Sequence, residues 1–258
     1  MASICQFIYD YCESSQHRKI YKSTKVIDIY NLGSLNKMAH IPLILRLKKE
    51  SHRKVAEAQD IIVKEIYRFF NNAVFHGGSA IWRCYSGNRF SEDVDFYLTK
   101  DLDKINLFFI SLEKKGFIIE RKKLSENSIF STLLFERSIV RFEAVFKKVK
   151  GILKEYELSD GNFINVYTLS PEHLIKEKIG AYINRRKIRD IYDVFFLIRY
   201  IADINVIKKD LKKLINDFVE PIDKSDLNTI ILEGIVPNVN DMLTYIKRYA
   251  QNGKEKIY

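Results

Sequence analysis

Two carboxylates, Asp93 and Asp95, stand two residues apart, a short distance after the run Gly77-Gly78-Ser79. Asp93-Val94-Asp95-Phe96-Tyr97-Leu98 alternates polar and apolar residues, the period of a half-buried strand. That period puts Asp93 and Asp95 on one face and Val94 and Phe96 on the other. Neighbouring carboxylates repel unless a cation lies between them. Mg²⁺ (or Mn²⁺) suits such a pair, completing its shell with water and substrate phosphates. Upstream, Val74 and Phe75 read as the end of a short buried strand. Gly77 and Gly78 allow a sharp turn with no Cβ between backbone and ligand. Ser79 is expected to cap a helix over Ala80 to Tyr85. A helix N-terminus after a glycine turn presents free N–H groups to a phosphate. The simplest chemistry for this stretch is metal-assisted nucleotidyl transfer; the alternative is a glycine turn beside a solvated acidic strand.

The order and spacing of Gly77-Gly78-Ser79 and Arg89-Phe90-Ser91-Glu92-Asp93-Val94-Asp95-Phe96 resemble the first motif of the AbiEii-type nucleotidyltransferases. These are toxins within the polymerase-β-like nucleotidyltransferase superfamily. A second stretch, from Glu177-Lys178 through Ala181, Arg185 and Arg189-Asp190-Ile191-Tyr192-Asp193, resembles the family's Lys-x-x-Ala, Arg, Arg-Asp-x-Tyr-Asp signature. The resemblance runs roughly from Ile61 to Arg199.

It implies an α+β fold: a small mixed sheet with helices as the transferase core, then a helical C-terminal region. It implies that Asp93 and Asp95 hold Mg²⁺ or Mn²⁺, with Glu143 as a third carboxylate; the alternative for Glu143 is a glutamate facing solvent beside Arg141. Gly77, Gly78 and Ser79 would bind phosphate, and Arg89 and Ser91 would brace the acidic loop or touch the nucleotide. Lys178 is the expected triphosphate cation. At helical spacing Arg185 and Arg189 fall on its side, a row of cations for a leaving pyrophosphate. Asp190 would orient Lys178, Arg185 or the acceptor. The implied partners are an NTP, an RNA acceptor (tRNA first, a protein hydroxyl as rival) and a cognate antitoxin. A reading from another class is a non-catalytic nucleic-acid or partner-binding protein on a degenerate transferase fold.

The remaining elements must position these groups. Ile41 to Phe70 reads as one helix, with Val55, Ala58, Ile62 and Ile66 recurring at threes and fours. Asp103 to Lys115 reads as a helix stopped by Gly116; Phe117 to Ile119, Ile129 to Glu136, Ile139 to Phe146 and Asn162 to Tyr167 read as strands. Ser170-Pro171-Glu172 is a helix start. From there the second motif is expected to lie on one continuous helix, followed by hairpins over Ile204 to Val219, Ser225 to Glu233 and Asn238 to Gln251. In domain terms, 1–50 is an N-terminal extension, 51–168 the transferase core and 169–258 the helical region. The extension itself suggests a short helix over Ile4 to Cys12 and strand-like structure around Lys25 to Tyr30.

The chain of 258 residues carries 43 Lys and Arg against 33 Asp and Glu, a net charge of +10 that favours polyanions. Arg185, Arg186 and Lys187 form one candidate RNA surface, and Lys208, Lys209, Lys212 and Lys213 a further basic patch. A lysine-rich solubilising exterior explains the charge equally well. The sequence has no apolar run long enough to span a bilayer, and Met1 to Phe7 lacks the pattern of a signal peptide. Three cysteines, Cys5, Cys12 and Cys84, cannot all pair and lack zinc spacing, which points to a reduced, cytoplasmic chain.

Overall fold

The computed structural model describes residues 41–252. The expected elements over Ile4 to Cys12 and Lys25 to Tyr30 lie outside them. A short helix, Leu43–Arg46 (α1), precedes the long helix Glu50–Phe69 (α2). The single helix expected over Ile41 to Phe70 is therefore interrupted. Leu47 and Lys49 are extended, and the Arg53 side chain donates to the Leu47 carbonyl at 2.8 Å, holding the break. Within α2, Val55, Ala58, Ile62 and Ile66 are all buried, as their spacing requires.

There follow β1 (Val74–His76), α3 (Gly77–Cys84), β2 (Asp93–Leu98) and α4 (Leu102–Lys114). The α4 helix is capped by the Asp101 side chain on the Lys104 amide, and Gly116 leaves it at φ +93°. Next come β3 (Ile118–Leu124), β4 (Ser128–Phe135), β5 (Ser138–Phe146), β6 (Ile152–Glu157) and β7 (Phe163–Thr168). The β4–β5 hairpin turns on Glu136 and Arg137, both left-handed, one residue earlier than their sequence suggests. The helical region is α5 (Pro171–Arg185), α6 (Ile188–Leu197), α7 (Lys208–Asn216), α8 (Leu227–Ile230) and α9 (Val239–Asn252).

The seven strands form one mixed sheet in the order β3-β4-β5-β2-β1-β7-β6, an α+β architecture. The pairs β2–β5 and β1–β7 are parallel and the others antiparallel. Alternation along the strands sorts the two faces. Val94 and Phe96 of β2, Phe142 and Ala144 of β5 and Ile129 and Leu133 of β4 are buried with α2 and α4 residues in one apolar cluster. The helical region gathers around a second cluster, which takes in Val74, Ile81 and Tyr85 as well as α5, α6, α7 and α9. Helix α3 serves both: Ala80 and Trp82 belong to the first cluster, Ile81 to the second. Its buried Arg83 ties it to the rest through the Glu157 carbonyl at 2.7 Å and an ion pair with Asp60. The turn before α3 is thereby fixed on every side.

Candidate active site

Register places the acidic residues. On β2, Asp95 lies opposite His76 of β1 and Glu143 of β5, and Asp93 lies opposite Arg141. These five side chains share the face turned away from the core. Gly77 stands at φ +76°, and a Cβ there would lie 2.0 Å from Asp95 Oδ2. A Cβ on Gly78 would lie 2.5 Å from Arg89 Nη2 and 2.6 Å from Ser91 Oγ. Both glycines therefore let the backbone close onto the residues of the acidic motif.

Helix α3 begins at Gly77, with His76 as its N-cap and no side-chain capping bond. The expectation that Ser79 caps a helix from Ala80 is corrected. Ser79 is inside the first turn, 0% exposed, and its hydroxyl donates to the Asp93 carbonyl. It pins β2 to α3. Ser91 is buried, and its carbonyl accepts from Gln59 at 2.8 Å.

Burial, then the neighbouring Asp93 charge, pushes the Asp95 carboxyl above its ordinary value; His76 and Lys178 oppose this. The same two causes, burial and then the charges of Asp95 and Asp93, raise the exposed Glu143. The pair is thus a place where added positive charge is favourable. Arg141 supplies some: its Nε donates to Asp93 Oδ1 at 2.5 Å. Among the described residues no three of His, Cys, Asp and Glu are grouped closely enough to hold a metal ion. The donor set fits a hard cation held by the two aspartates, with water and phosphate oxygens filling its shell. Glu143 stands one strand away on the same face.

The second motif is not one helix. Arg186 adopts φ +50° and breaks it into α5 and α6. The start of α6 is satisfied from elsewhere: the Ile188 amide donates to Asp223 Oδ1 at 2.8 Å. Arg189 therefore leaves the row that helical spacing gave it. It is half-buried and in no ion pair among the described residues. The break folds α6 back so that its acids meet the cations of α5. Lys178 Nζ lies 2.8 Å from Asp193 Oδ2 and 3.8 Å from Asp190 Oδ1. Arg185 forks onto Asp190 with two bonds of 2.7 Å. Arg89, 3% exposed, forks onto Asp193 with bonds of 2.5 and 2.6 Å. Against a burial cost that alone would raise it, Arg89 and Lys178 hold the Asp193 carboxyl below its ordinary value.

Arg89 is thus placed as a brace between the two motifs, with its donors consumed. Asp190, at 0% exposure, positions Arg185 and Lys178. The two motifs meet through Arg89 on Asp193 and through Glu177, the neighbour of Lys178, on His76, which lies opposite Asp95. Of the basic residues at the end of α5 and just beyond it, Arg185 is bound to Asp190, and Lys187 lies 3.5 Å from Asp223.

Three residues to which the sequence assigned no role complete the site. The His76 ring stacks on Tyr97 with centroids 4.0 Å apart. Glu177 holds both: His76 Nδ1 lies 3.2 Å from its Oε2, and the Tyr97 hydroxyl donates to Oε1 at 2.6 Å. His76 and Tyr97 flank Asp95 in register and sequence, and Glu177 precedes Lys178. Adjacency to motif residues was the one signal that could have flagged them.

Comparison with known proteins bears on the family and the fold. The family model described as nucleotidyl transferase AbiEii toxin, of a type IV toxin–antitoxin system, matches residues 64–235. No curated protein matches the chain in sequence. Among solved structures it is similar to JHP933 from Helicobacter pylori (19% identity, TM-score 0.54, 79% of this chain and 91% of that one). It is also similar to a putative nucleotidyltransferase from H. pylori (19%, 0.55, 79% and 94%). A third is MenT4, a nucleotidyltransferase toxin from Mycobacterium tuberculosis H37Rv (16%, 0.55, 76% and 82%). At these identities the likeness is one of fold. The family match covers both motifs and the turn, strand and helices that carry them, and the chain belongs to the AbiEii nucleotidyl transferase toxin family.

Proposed function

We propose that this protein transfers a nucleoside monophosphate from an NTP to a hydroxyl of RNA, with tRNA as the acceptor and an antitoxin as its restraint. The observation that carries the reading is the convergence on Asp95 of the tight Gly77–Gly78 turn and, through Glu177 on His76, of the helix that carries Lys178. In this reading the acceptor oxygen bonds to the α-phosphorus as the bond to pyrophosphate breaks, and the proton of the acceptor hydroxyl passes to solvent. Asp93 and Asp95 would hold Mg²⁺ or Mn²⁺, which when bound neutralises triphosphate charge and polarises the phosphoryl group. The chain's own contribution is orientation. The amides of the first turn of α3 have no intrahelical acceptor and face the phosphates. Lys178, fixed by Asp190 and Asp193, offers its remaining donor capacity to the β- and γ-phosphates, where charge builds as the bond breaks. Glu177 keeps His76 and Tyr97 in a rigid ledge beside Asp95.

The test is incubation of purified protein with each labelled NTP, Mg²⁺ and total RNA, with nuclease and protease digestion of the products side by side. Label released by nuclease supports the reading. Label released only by protease replaces RNA with a protein acceptor, and no transfer from any NTP sinks the transferase reading altogether.

A further inference from the structure

From the sheet register we infer a site for the acceptor strand that is separate from the triphosphate cluster on α5. It is a track across the open face of the sheet, from the β3 edge to Asp93 and Asp95, that takes single-stranded nucleic acid. The inference rests on the transferase reading for its direction, but its physical basis is independent. Two cross-strand rows run over this face. One is Lys123, Phe130, Glu143, Asp95; the other is Arg121, Thr132, Arg141, Asp93. Three strand spacings separate the β3 edge from the acidic pair, roughly 14 Å. Arg121 and Lys123 are exposed, and neither is in an ion pair among the described residues. That contrasts with Arg185 and Lys187, whose charges are met by Asp190 and Asp223.

Three features select nucleic acid over a polypeptide. The cations Arg121 and Lys123, unpaired among the described residues, stand at the β3 end of a path that leads to the proposed reacting centre by way of Arg141, whose charge is shared with Asp93 and Glu92, so a phosphate backbone is drawn onto its outer end. Phe130 lies among them, with the Arg121 guanidinium 5.8 Å from its ring centroid, the mixture of aromatic face and cation on which single-stranded bases stack. A cleft of about 370 Å³ lined by Arg121, Lys123, Ser125, Ser128 and Phe130 gives room for a base beside that ring. Arg141 is the junction. It already bonds Asp93, so an acceptor phosphate reaching it arrives at the acidic pair.

The test uses a fluorescein-labelled single-stranded RNA of about 12 nucleotides, with binding followed by anisotropy over a salt series. The full-length protein and the variants R121E/K123E, F130A and R186E are compared, and NTP binding is measured separately. R121E/K123E is expected to weaken RNA binding at least tenfold and to lower the slope of log affinity against log salt by about 1.4, the share of two phosphate contacts on a single strand. F130A is expected to lose about tenfold with the salt slope unchanged. R186E is expected to bind as wild type. NTP affinity should stay constant in all three, because the triphosphate cluster lies on α5. Circular dichroism melts establish that each variant is folded; should R121E/K123E not fold, R121Q/K123Q takes its place with a slope change of the same sign. Wild-type RNA binding in folded R121E/K123E, loss through R186E instead, or no RNA binding by the wild type overturns the track. A wild type that binds RNA along it but no NTP would leave the track standing and remove the transferase reading.

Discussion

Replacing Gly77 by alanine separates the fold from the chemistry. The new Cβ would lie 2.0 Å from Asp95 Oδ2. A comfortable separation for two such atoms is roughly 3.5 Å, so the carboxylate must retreat by about 1 Å or more. It can retreat, because it is the end of a side chain, and the fold should survive. The backbone cost is that of an L-residue at φ +76°, about 1–2 kcal/mol, offset by about 0.4–1 kcal/mol from the stiffer unfolded chain. A net loss near 1 kcal/mol lowers Tm by about 2–4 °C in a domain of this size. The catalytic cost is larger: a displacement on the order of 1 Å in a positioning group lowers turnover about 10²-fold. Gly78→Ala should behave in the opposite sense. Its Cβ meets Arg89 Nη2 at 2.5 Å, and Arg89 cannot withdraw because its Nε and Nη2 are bonded to Asp193 and its Nη1 to the Phe90 carbonyl. Overpacking there costs about 1–3 kcal/mol of stability. Differential scanning calorimetry paired with the labelled-NTP assay reads both axes. Wild-type turnover in Gly77→Ala, or its global unfolding, would show that Asp95 is not held where this geometry puts it.

The other expected outcomes follow from the charges around the site. Asp95→Asn should raise Tm in metal-free buffer, since it removes a half-buried carboxylate whose proton affinity is raised by desolvation and by Asp93, yet lower transfer about 10³-fold; an unchanged rate refutes the role. Asp193→Asn leaves Arg89 and Lys178 buried with weakened compensation and should cost about 3–5 kcal/mol, read by urea unfolding. Because the folded Asp193 carboxyl sits below its ordinary 3.8, its contribution is present above that pH and is lost as pH falls through the depressed value. The wild type should therefore lose more stability than Asp193→Asn between pH 5 and strong acid, and equal losses would contradict the pairing. Lys178→Ala should weaken NTP binding about tenfold or more while leaving the salt slope of RNA binding unchanged; calorimetric titration with a non-hydrolysable NTP decides it.

Period and punctuation carried the local elements, and tertiary partners decided the rest. Asp93 and Asp95 share a face because β2 alternates, and that needed only the strand period. Strand β6 escaped notice because Ile152-Leu153-Lys154-Glu155 does not alternate, its edge position leaving these residues exposed or half-exposed. The break at Arg186 carries no glycine or proline. It is held by the Ile222 amide on the Arg186 carbonyl at 3.0 Å and by Asp223 at the start of α6, both supplied by a segment some 35 residues downstream. That one unsignalled left-handed residue removes Arg189 from the cationic row and brings Asp190 and Asp193 onto Lys178 and Arg185. Arg89 shows the same limit from the other side. Its charge and its place before the acidic strand suggested either a nucleotide or a brace, and only the fold shows Asp193, 104 positions away, meeting its fork. A lone charge in a sequence has its sign and its reach but no address. The open face of the sheet is different, since strand register gives an address to every residue on it. Lys123, Phe130 and Glu143 fall in line with Asp95 once the pairing of β3, β4, β5 and β2 is known, although no two of those strands share a motif.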